Sequence, residues 1–324
     1  MSSITIITPT YNRADLLPRL YESLLKQTNT DFEWMVIDDG STDSTEELIQ
    51  SYAQENKIPV YYEKKPNAGK HTALNLGIAK IESRLTFIVD SDDYLTPDAV
   101  EIILSYDEKY RNTDNLCGYS FLRCHQDGRV NTAYFPEDEK IDTYLSVRIN
   151  GNIGGDKAEV FFTDILKQYP FPVFEGEKYM PEDAVWMQMS GPYQMLHVNQ
   201  NVYICDYLDG GLTNTGRRMK IYSPKGMMFR SKVYLDNPAT CMKVQVKMML
   251  LYNIYGRFAG YPASELVREI RQKWLWALCY LPSLILYTRW KRNYKSKEKK
   301  DENFSCRNRL CRIGGRRLFC RKRT

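Results

Sequence analysis

The sequence lacks several features that would settle its class at once. None of its eight cysteines forms a C-x-x-C pair, and Cys306, Cys311 and Cys320 have spacings that match no common zinc pattern. No run reaches the roughly 18–20 apolar residues needed to span a bilayer. The nearest approach, Ala277–Tyr287, is short and includes Pro282. Met1-Ser2-Ser3-Ile4-Thr5-Ile6-Ile7 has no basic stretch and no long apolar one, so no secretory signal is read there. With no export signal, all eight thiols read as reduced, in a cytoplasmic protein. There is no G-x-G-x-x-G after the first strand-like run, which argues against a dinucleotide cofactor. No G-x-x-x-x-G-K-[ST] occurs, which excludes a P-loop. No internal repeat is visible.

What is present is a chain of 324 residues with 43% hydrophobic residues, enough for one large domain or two modest ones. Tyr is abundant, at 24 residues, which suits ring-stacking and sugar-binding sites as well as cores. The net charge of +5 conceals an asymmetry. Residues 289–324 hold 15 Lys/Arg against 3 Asp/Glu, a net of +12, so residues 1–288 carry −7. An acidic body argues against nucleic acid as the main ligand, and a basic tail seeks anionic lipid or another polyanion. Ala277–Tyr287 followed by Arg289-Trp290-Lys291-Arg292 reads either as an interfacial anchor at the inner membrane surface or as a buried terminal helix with a solvated tail.

The first hundred residues alternate between strand and helix patterns. Ile4–Thr8, Glu33–Asp38, Val60–Glu63 and Leu85–Asp90 are short β-type runs. Asp15–Lys26, Ser44–Glu55 (with Ser44 and Glu47 as a capping box), Gly69–Ile81 and Pro97–Tyr110 are helical between and after them. That rhythm predicts right-handed βαβ units in an α/β fold, with a mainly parallel sheet and helices on both faces. Beyond residue 115 the rhythm breaks. Cys117–His125, Arg129–Phe135 and Gln194–Tyr207 read as strands. Ala158–Tyr169 and Glu182–Ser190 read as helices, as do Met227–Tyr234, Lys243–Gly256 and Ser264–Tyr280.

In an open α/β sheet, ligands bind at the carboxyl ends of the strands. Here three of the first four strands end in chemistry-bearing residues: Thr8-Pro9-Thr10-Tyr11-Asn12-Arg13, Asp38-Asp39-Gly40-Ser41 and Asp90-Ser91-Asp92-Asp93. Each alone is weak, since Asp-x-Asp arises by chance about once in such a chain. Their order and placement carry the reading. Two carboxylates past a buried strand make a hard oxygen site for Mg²⁺ or Mn²⁺, and a cation there neutralises a diphosphate. Asp39 can accept from the imide N–H of a uracil or thymine, and Tyr11 can cover the base. Asn67-Ala68-Gly69-Lys70 opens a helix, with a glycine for close backbone approach, an amide-rich terminus for phosphate and a positive charge.

The sets Thr-Pro-Thr-Tyr-Asn-Arg, Val-Ile-Asp-Asp-Gly-Ser-Thr-Asp, Asn-Ala-Gly-Lys and Asp-Ser-Asp-Asp, in that order, resemble the motifs of family-two inverting glycosyltransferases. The resemblance is strong over residues 1–110. A weaker one, to bacterial surface-polysaccharide transferases, reaches about residue 220 through Gly155–Phe161, Glu182-Asp183 and Gly210-Gly211-Leu212-Thr213. It implies a GT-A fold, a UDP-sugar donor, a glycan acceptor, and Mn²⁺ or Mg²⁺ as cofactor; membrane contact by the basic tail points to a lipid-linked acceptor. It also implies that Pro9, Thr10 and Tyr11 line the nucleoside and that Asp39 holds the uracil. Asp90, beside Ser91, would sit at the ribose and diphosphate. Asp92 would be the main metal ligand and Asp183 the catalytic base, with Glu182 as its neighbour.

Other readings of the same residues stay open. Glu182 and Asp183 equally read as acidic residues in the first turn of a helix, favoured by its dipole. Asp156 reads as a loop or acceptor-site residue. Arg217 and Arg218 read either as diphosphate contacts or as surface charge. His71 and His197 are lone histidines of the kind more often structural than ligating. Trp186 suits a core or a sugar pocket. The expected organisation is a transferase domain over 1–220, with a nucleotide-sugar half (1–110) and an acceptor half (111–220). C-terminal helices (221–288) and a basic tail (289–324) follow. The expected activity is inverting sugar transfer in cell-surface polysaccharide synthesis. The alternatives are a silent nucleotide-sugar-binding or scaffold protein and a sugar nucleotidyltransferase. The latter would want a glycine-rich, basic loop where Pro9–Arg13 stands.

Overall fold

The structure, a computed structural model, describes residues 2–205 and 218–310, with side chains up to residue 293 in the last helix. Nine strands form one sheet: β1 (Ile4–Thr10), β2 (Phe32–Asp38), β3 (Val60–Lys64), β4 (Leu85–Ile88), β5 (Tyr94–Leu95), β6 (Leu116–Cys124), β7 (Lys140–Asp142), β8 (Ala158–Phe162) and β9 (Gln194–Ile204). Their order is β3-β2-β1-β4-β8-β6-β9-β5, with β7 paired to β9.

The four strands of the βαβ rhythm pair in parallel, β1 between β2 and β4 and β2 beside β3. β1 is buried throughout, as a strand covered on both faces must be, which is why ITIITPT reads as a continuous apolar run rather than an alternation. Past β4 the sheet becomes mixed. β8 runs antiparallel to β4 and β6, while β6 and β9 are parallel.

Helices α1 (Leu17–Leu25), α2 (Thr45–Glu55), α3 (Lys70–Lys80) and α4 (Ala99–Tyr110) join or follow these strands. The buried face of α1 is Leu17, Leu20, Tyr21 and Leu24, the i, i+3, i+4, i+7 spacing of a core-facing stripe. Gly77 brings α3 close to the sheet, because a β-carbon there would sit 2.9 Å from Ile37.

Several local expectations are corrected. Ala158–Tyr169 is a strand through Phe162 and then a short helix, α5 (Thr163–Leu166). Val160 and Phe161 are completely buried between two antiparallel neighbours, and that pairing overrides helical spacing. Arg129–Phe135 is not a strand. The turn at Gly128 forms, but only an isolated Cys124–Val130 bridge follows it. Tyr134 is exposed, so no alternating face exists there to bury. Ser44 makes no side-chain cap; instead Asp43 accepts from the Thr45 amide at 3.2 Å and its hydroxyl at 2.6 Å. A π-helix over Leu145–Asn150 has no counterpart in the sequence reading.

Beyond the sheet, α6 (Asp183–Met189) lies in its second half. It is followed by α7 (Pro224–Asp236), α8 (Met242–Phe258), α9 (Ala263–Arg268) and α10 (Lys273–Leu310). One core cluster joins Ile7, Ile37 and Leu74 to Trp186 in α6, Tyr234 in α7 and Met249 in α8, so these helices share an apolar core with the sheet. Among the described residues, no helix is long and apolar enough to cross a membrane. Cys117, Cys124, Cys205, Cys241 and Cys279 are free thiols.

Candidate active site

Because β1, β2 and β4 are parallel, their carboxyl ends meet on one edge of the sheet. The first two are laced together. The Asp39 amide donates to the Thr10 carbonyl at 2.8 Å. Asn12, at φ +52°, donates its amide to Ser41 Oγ and accepts from the Thr42 amide, both at 2.8 Å. Pro9 and Thr10 are buried at this edge, and Tyr11 is 46% exposed.

Asp38 and Asp39 diverge. Asp38 is buried and caps its own loop, accepting from the Ser41 amide at 2.7 Å and Tyr62 Oη at 2.8 Å. Asp39 reaches across to the loop before α3. It accepts from Lys65 Nζ at 2.7 Å and the Ala68 amide at 2.9 Å on one oxygen, and from the Gly69 amide at 2.7 Å on the other. An ionised carboxylate offers about four acceptor sites. Three are filled, which leaves one open.

The sequence gives Gly69 the task of letting backbone approach a ligand. The structure gives a different reason. Gly69 has φ +102°, and a β-carbon there would overlap the Lys178 backbone. The close approach is between the turn before α3 and the 174–182 segment. Lys178 Nζ also donates to Asn67 Oδ1 at 2.5 Å, so Asn67 is held by the 174–182 segment. Asn75 anchors the chain just before that segment by exchanging two 2.8 Å bonds with the Phe171 backbone.

Lys70 joins distant segments directly. Its ammonium pairs with Asp90 and, at 2.7 Å, with Glu182. Burial works against its charge, but Asp90 and then Glu182 outweigh it and hold the ammonium above the usual lysine range. Burial likewise works against ionised Asp90, and Lys70 and Arg123 overcome it and keep Asp90 acidic. The Asp90 amide donates to Tyr203 Oη, and Tyr203 Oη donates to Asp93, each at 2.9 Å. Arg123 stacks 4.0 Å over the Tyr203 ring. Ser91 is buried in this turn. Asp92 is half-buried, receives Arg19 at its carbonyl at 2.5 Å, and has no carboxylate partner among the described residues.

Asp183 starts α6, one residue past Glu182. Its carboxylate is held by Arg230 of α7, with Nε at 2.7 and 2.8 Å from the two oxygens and Nη2 also on Oδ2. Tyr234 Oη adds a 2.7 Å bond to Oδ2. Burial would raise its pKa, but Arg230 and Tyr234 lower it below the usual carboxylate range. Oδ2 is saturated, and Oδ1 has one contact and room for another. Glu177 fixes the helix that supplies these partners, accepting from the Lys225 and Gly226 amides at 2.8 Å at the start of α7.

The remaining candidates separate cleanly. Trp186 is core, 4.3 Å from the Phe161 ring. His71 and His197 are buried, and burial pushes His197 down to about 4, so both suit structural positions. Asp156 is exposed. Arg218 sits 5.7 Å from the Tyr222 ring. Arg217 and Gly210-Gly211-Leu212-Thr213 lie outside the described residues. Sequence reasoning missed Arg123, Tyr203, Arg230 and Tyr234. They carry no local motif, and only the fold brings them to the acidic residues.

Residues 5–156 match the model of glycosyl transferase family 2. The chain is 38% identical over 148 residues to the chondroitin synthase of Pasteurella multocida, an overlap of 44% of this chain and 15% of that one. It covers 15–18% of the length of the first five curated relatives it matches. The crystal structure of Staphylococcus aureus TarS 1–349 in complex with UDP-GlcNAc superposes with a TM-score of 0.62 at 18% identity, covering 92% of each chain. A mannosyltransferase from Pyrobaculum calidifontis in complex with GDP-Man and Mn²⁺ gives 0.55 at 16% identity, over 89% and 82%. A parallel β3-β2-β1-β4 sheet with its acidic turns on one edge, and the family-model match over that same segment, identify residues 5–156 as a glycosyl transferase family 2 domain in a chain with a GT-A fold.

Proposed function

We propose that the chain is an inverting glycosyltransferase that moves one sugar from a UDP-sugar to a hydroxyl of a glycan acceptor in cell-surface polysaccharide synthesis. The observation that carries this reading is the convergence of Asp39, Asp90 and Asp92 with the Glu182–Asp183 pair across Lys70, within and beside a family-2 domain. Relatives named chondroitin synthase and teichoic acid polymerase support the polymer class, and the UDP-GlcNAc complex of TarS supports the donor class.

A divalent cation suits the residues present. No cluster of three or more His, Cys, Asp or Glu exists among the described residues, so a closed protein cage is not the arrangement. An unpartnered Asp92 next to Asp90 fits an ion held by one or two carboxylates with diphosphate oxygens filling its shell. When bound, Mg²⁺ or Mn²⁺ supplies charge neutralisation of the leaving diphosphate.

In the proposed reaction, Pro9, Thr10 and Tyr11 bound the nucleoside, and Asp39 takes the uracil imide N–H on its last acceptor site. Lys70 swings its charge from Asp90 towards the diphosphate. The acceptor oxygen bonds to the anomeric carbon as the carbon–diphosphate bond breaks, and the diphosphate leaves with the electron pair. Asp183 Oδ1 takes the hydroxyl proton. Arg230 and Tyr234 hold that carboxylate ionised and oriented.

Glu182 is a second reading for the base, favoured by its ion pair to Lys70 on the Asp90 side while Arg230 occupies Asp183. The test is nucleotide release from a panel of nucleotide-sugars by wild type, Asp183→Asn and Glu182→Gln. We expect UDP release by wild type and a loss of about 10²–10⁴-fold in Asp183→Asn with donor binding kept. Normal turnover in Asp183→Asn with loss in Glu182→Gln moves the base to Glu182. No release from any donor rejects the enzyme and leaves a binding or scaffold protein.

A further inference from the structure

The first four turns of α10 have two unlike faces. One packs on α8, with Leu275 and Cys279 nearly inaccessible and Ser283 completely so. Tyr287 meets Phe258 at 4.8 Å and Trp290 meets Tyr255 at 6.1 Å. The other face carries Trp274, Leu278, Leu281 and Ile285, which are 54%, 68%, 66% and 68% exposed. Steps of four, three and four residues put all four on one stripe about 16 Å long. Continued by the same steps, the stripe meets Arg289 and Arg292, both exposed. Apolar surface of this length along a single face marks an interaction site.

We propose that this stripe is a membrane-docking surface. It inserts Trp274, Leu278, Leu281 and Ile285 into the headgroup–acyl boundary of an anionic bilayer while Arg289, Lys291 and Arg292 engage the phosphates. Charge complementarity selects this occupant. The sequence from 289 onward carries a net of +12 against −7 for the rest, which is the polarity that seeks anionic lipid and keeps the acidic body off it. Pro282 also separates a bilayer from a dry protein interface. It lacks the N–H that would bond the Leu278 carbonyl four residues back, which removes one helical bond from that carbonyl. A wet headgroup region satisfies it, whereas a close-packed partner would leave it unpaired at a cost. The stripe is too short to span, so the helix lies in the interface plane.

The experiment is vesicle co-sedimentation of the full 324-residue chain, using phosphatidylcholine vesicles with and without phosphatidylglycerol, with sizing by light scattering alongside. Wild type should pellet with the phosphatidylglycerol vesicles and not with phosphatidylcholine alone. The double variant Leu278→Glu/Leu281→Glu should lose about a hundredfold or more in partitioning. Arg289→Glu and Arg292→Glu should each lose at least about fivefold, and added salt should weaken wild type. These side chains are exposed, so the variants should keep the wild-type melting temperature and UDP release, which separates failure here from failure of the enzymatic reading. The proposal falls if wild type stays in the supernatant, or if the Leu variant pellets like wild type. It falls equally if wild type is a dimer that Leu278→Glu/Leu281→Glu splits, because the stripe is then an interface between two copies.

Discussion

Replacing Arg230 with Met tests how the acidity of Asp183 is set. The guanidinium touches both Asp183 oxygens, and the two side chains are 18% and 21% exposed. Breaking a buried pair by removing one partner costs about 3–5 kcal/mol, and partial exposure places this one at the lower end, about 3 kcal/mol. With the guanidinium gone, burial is opposed less and the Asp183 carboxyl should rise. Tyr234 at 2.7 Å and Lys220 remain as its other stabilising neighbours, with Tyr144 and Tyr179 also facing it. The sign follows from linkage. In wild type the folded-state pKa lies below the unfolded value, so the pair stabilises the protein above the usual carboxylate pKa and loses that effect as pH falls through the folded one. In Arg230→Met the stabilising increment disappears, and the acid limb of kcat/KM should move to higher pH. Arg230→Lys keeps the charge but not the two-point grip and should fall between. The assay is UDP release followed across pH on protein shown by circular dichroism to be folded. An acid limb in Arg230→Met that overlays wild type would refute the reasoning, because Asp183 would then not be the group whose ionisation the rate reports.

Two further outcomes follow from the same geometry. EDTA should abolish transfer and Mn²⁺ or Mg²⁺ should restore it, with Asp92→Asn needing about tenfold more cation for half-maximal rate; full activity in EDTA removes the metal role of Asp92. Gly69→Ala should destabilise by about 2–4 kcal/mol in urea unfolding, since its β-carbon would meet the Lys178 backbone at a positive φ, and a change within about 0.5 kcal/mol would show that the 174–182 segment does not press on this turn.

The first half was legible because its pattern is local. Thr10, Asp39 and Asp92 sit at or just past strand ends that periodicity alone locates, Lys70 opens the helix after β3, and parallel pairing brings these segments to one edge. The second half was less legible for the opposite reason. β8 and β9 reach β4 and β6 from distant parts of the chain, so Val160 and Phe161 are buried by pairing that no local pattern announces. Arg123 and Tyr203 sit on strands as ordinary residues, and become site neighbours only when β6 and β9 align. Arg230 is one of several basic residues on α7, and nothing in PKGMMFRSKVYLD marks it as the partner of Asp183. Gly69 was read as a backbone requirement, and the structure adds a protein neighbour, Lys178, that imposes one. A glycine reports that something comes close, and the sequence does not say what.

The contacts around α7 run in both directions across the same stretch of chain. Glu177 receives the first two amides of α7, and Arg230 of α7 answers Asp183. A shorter protein ending near residue 220 would strand two carboxylates at once, one without its amides and one without its cation. Swapping C-terminal helices between relatives as a cassette would do the same unless each piece brought both ends of these contacts. A workable splice therefore has to fall beyond Asp236, and the smallest portable unit of this enzyme is longer than the segment its family model defines.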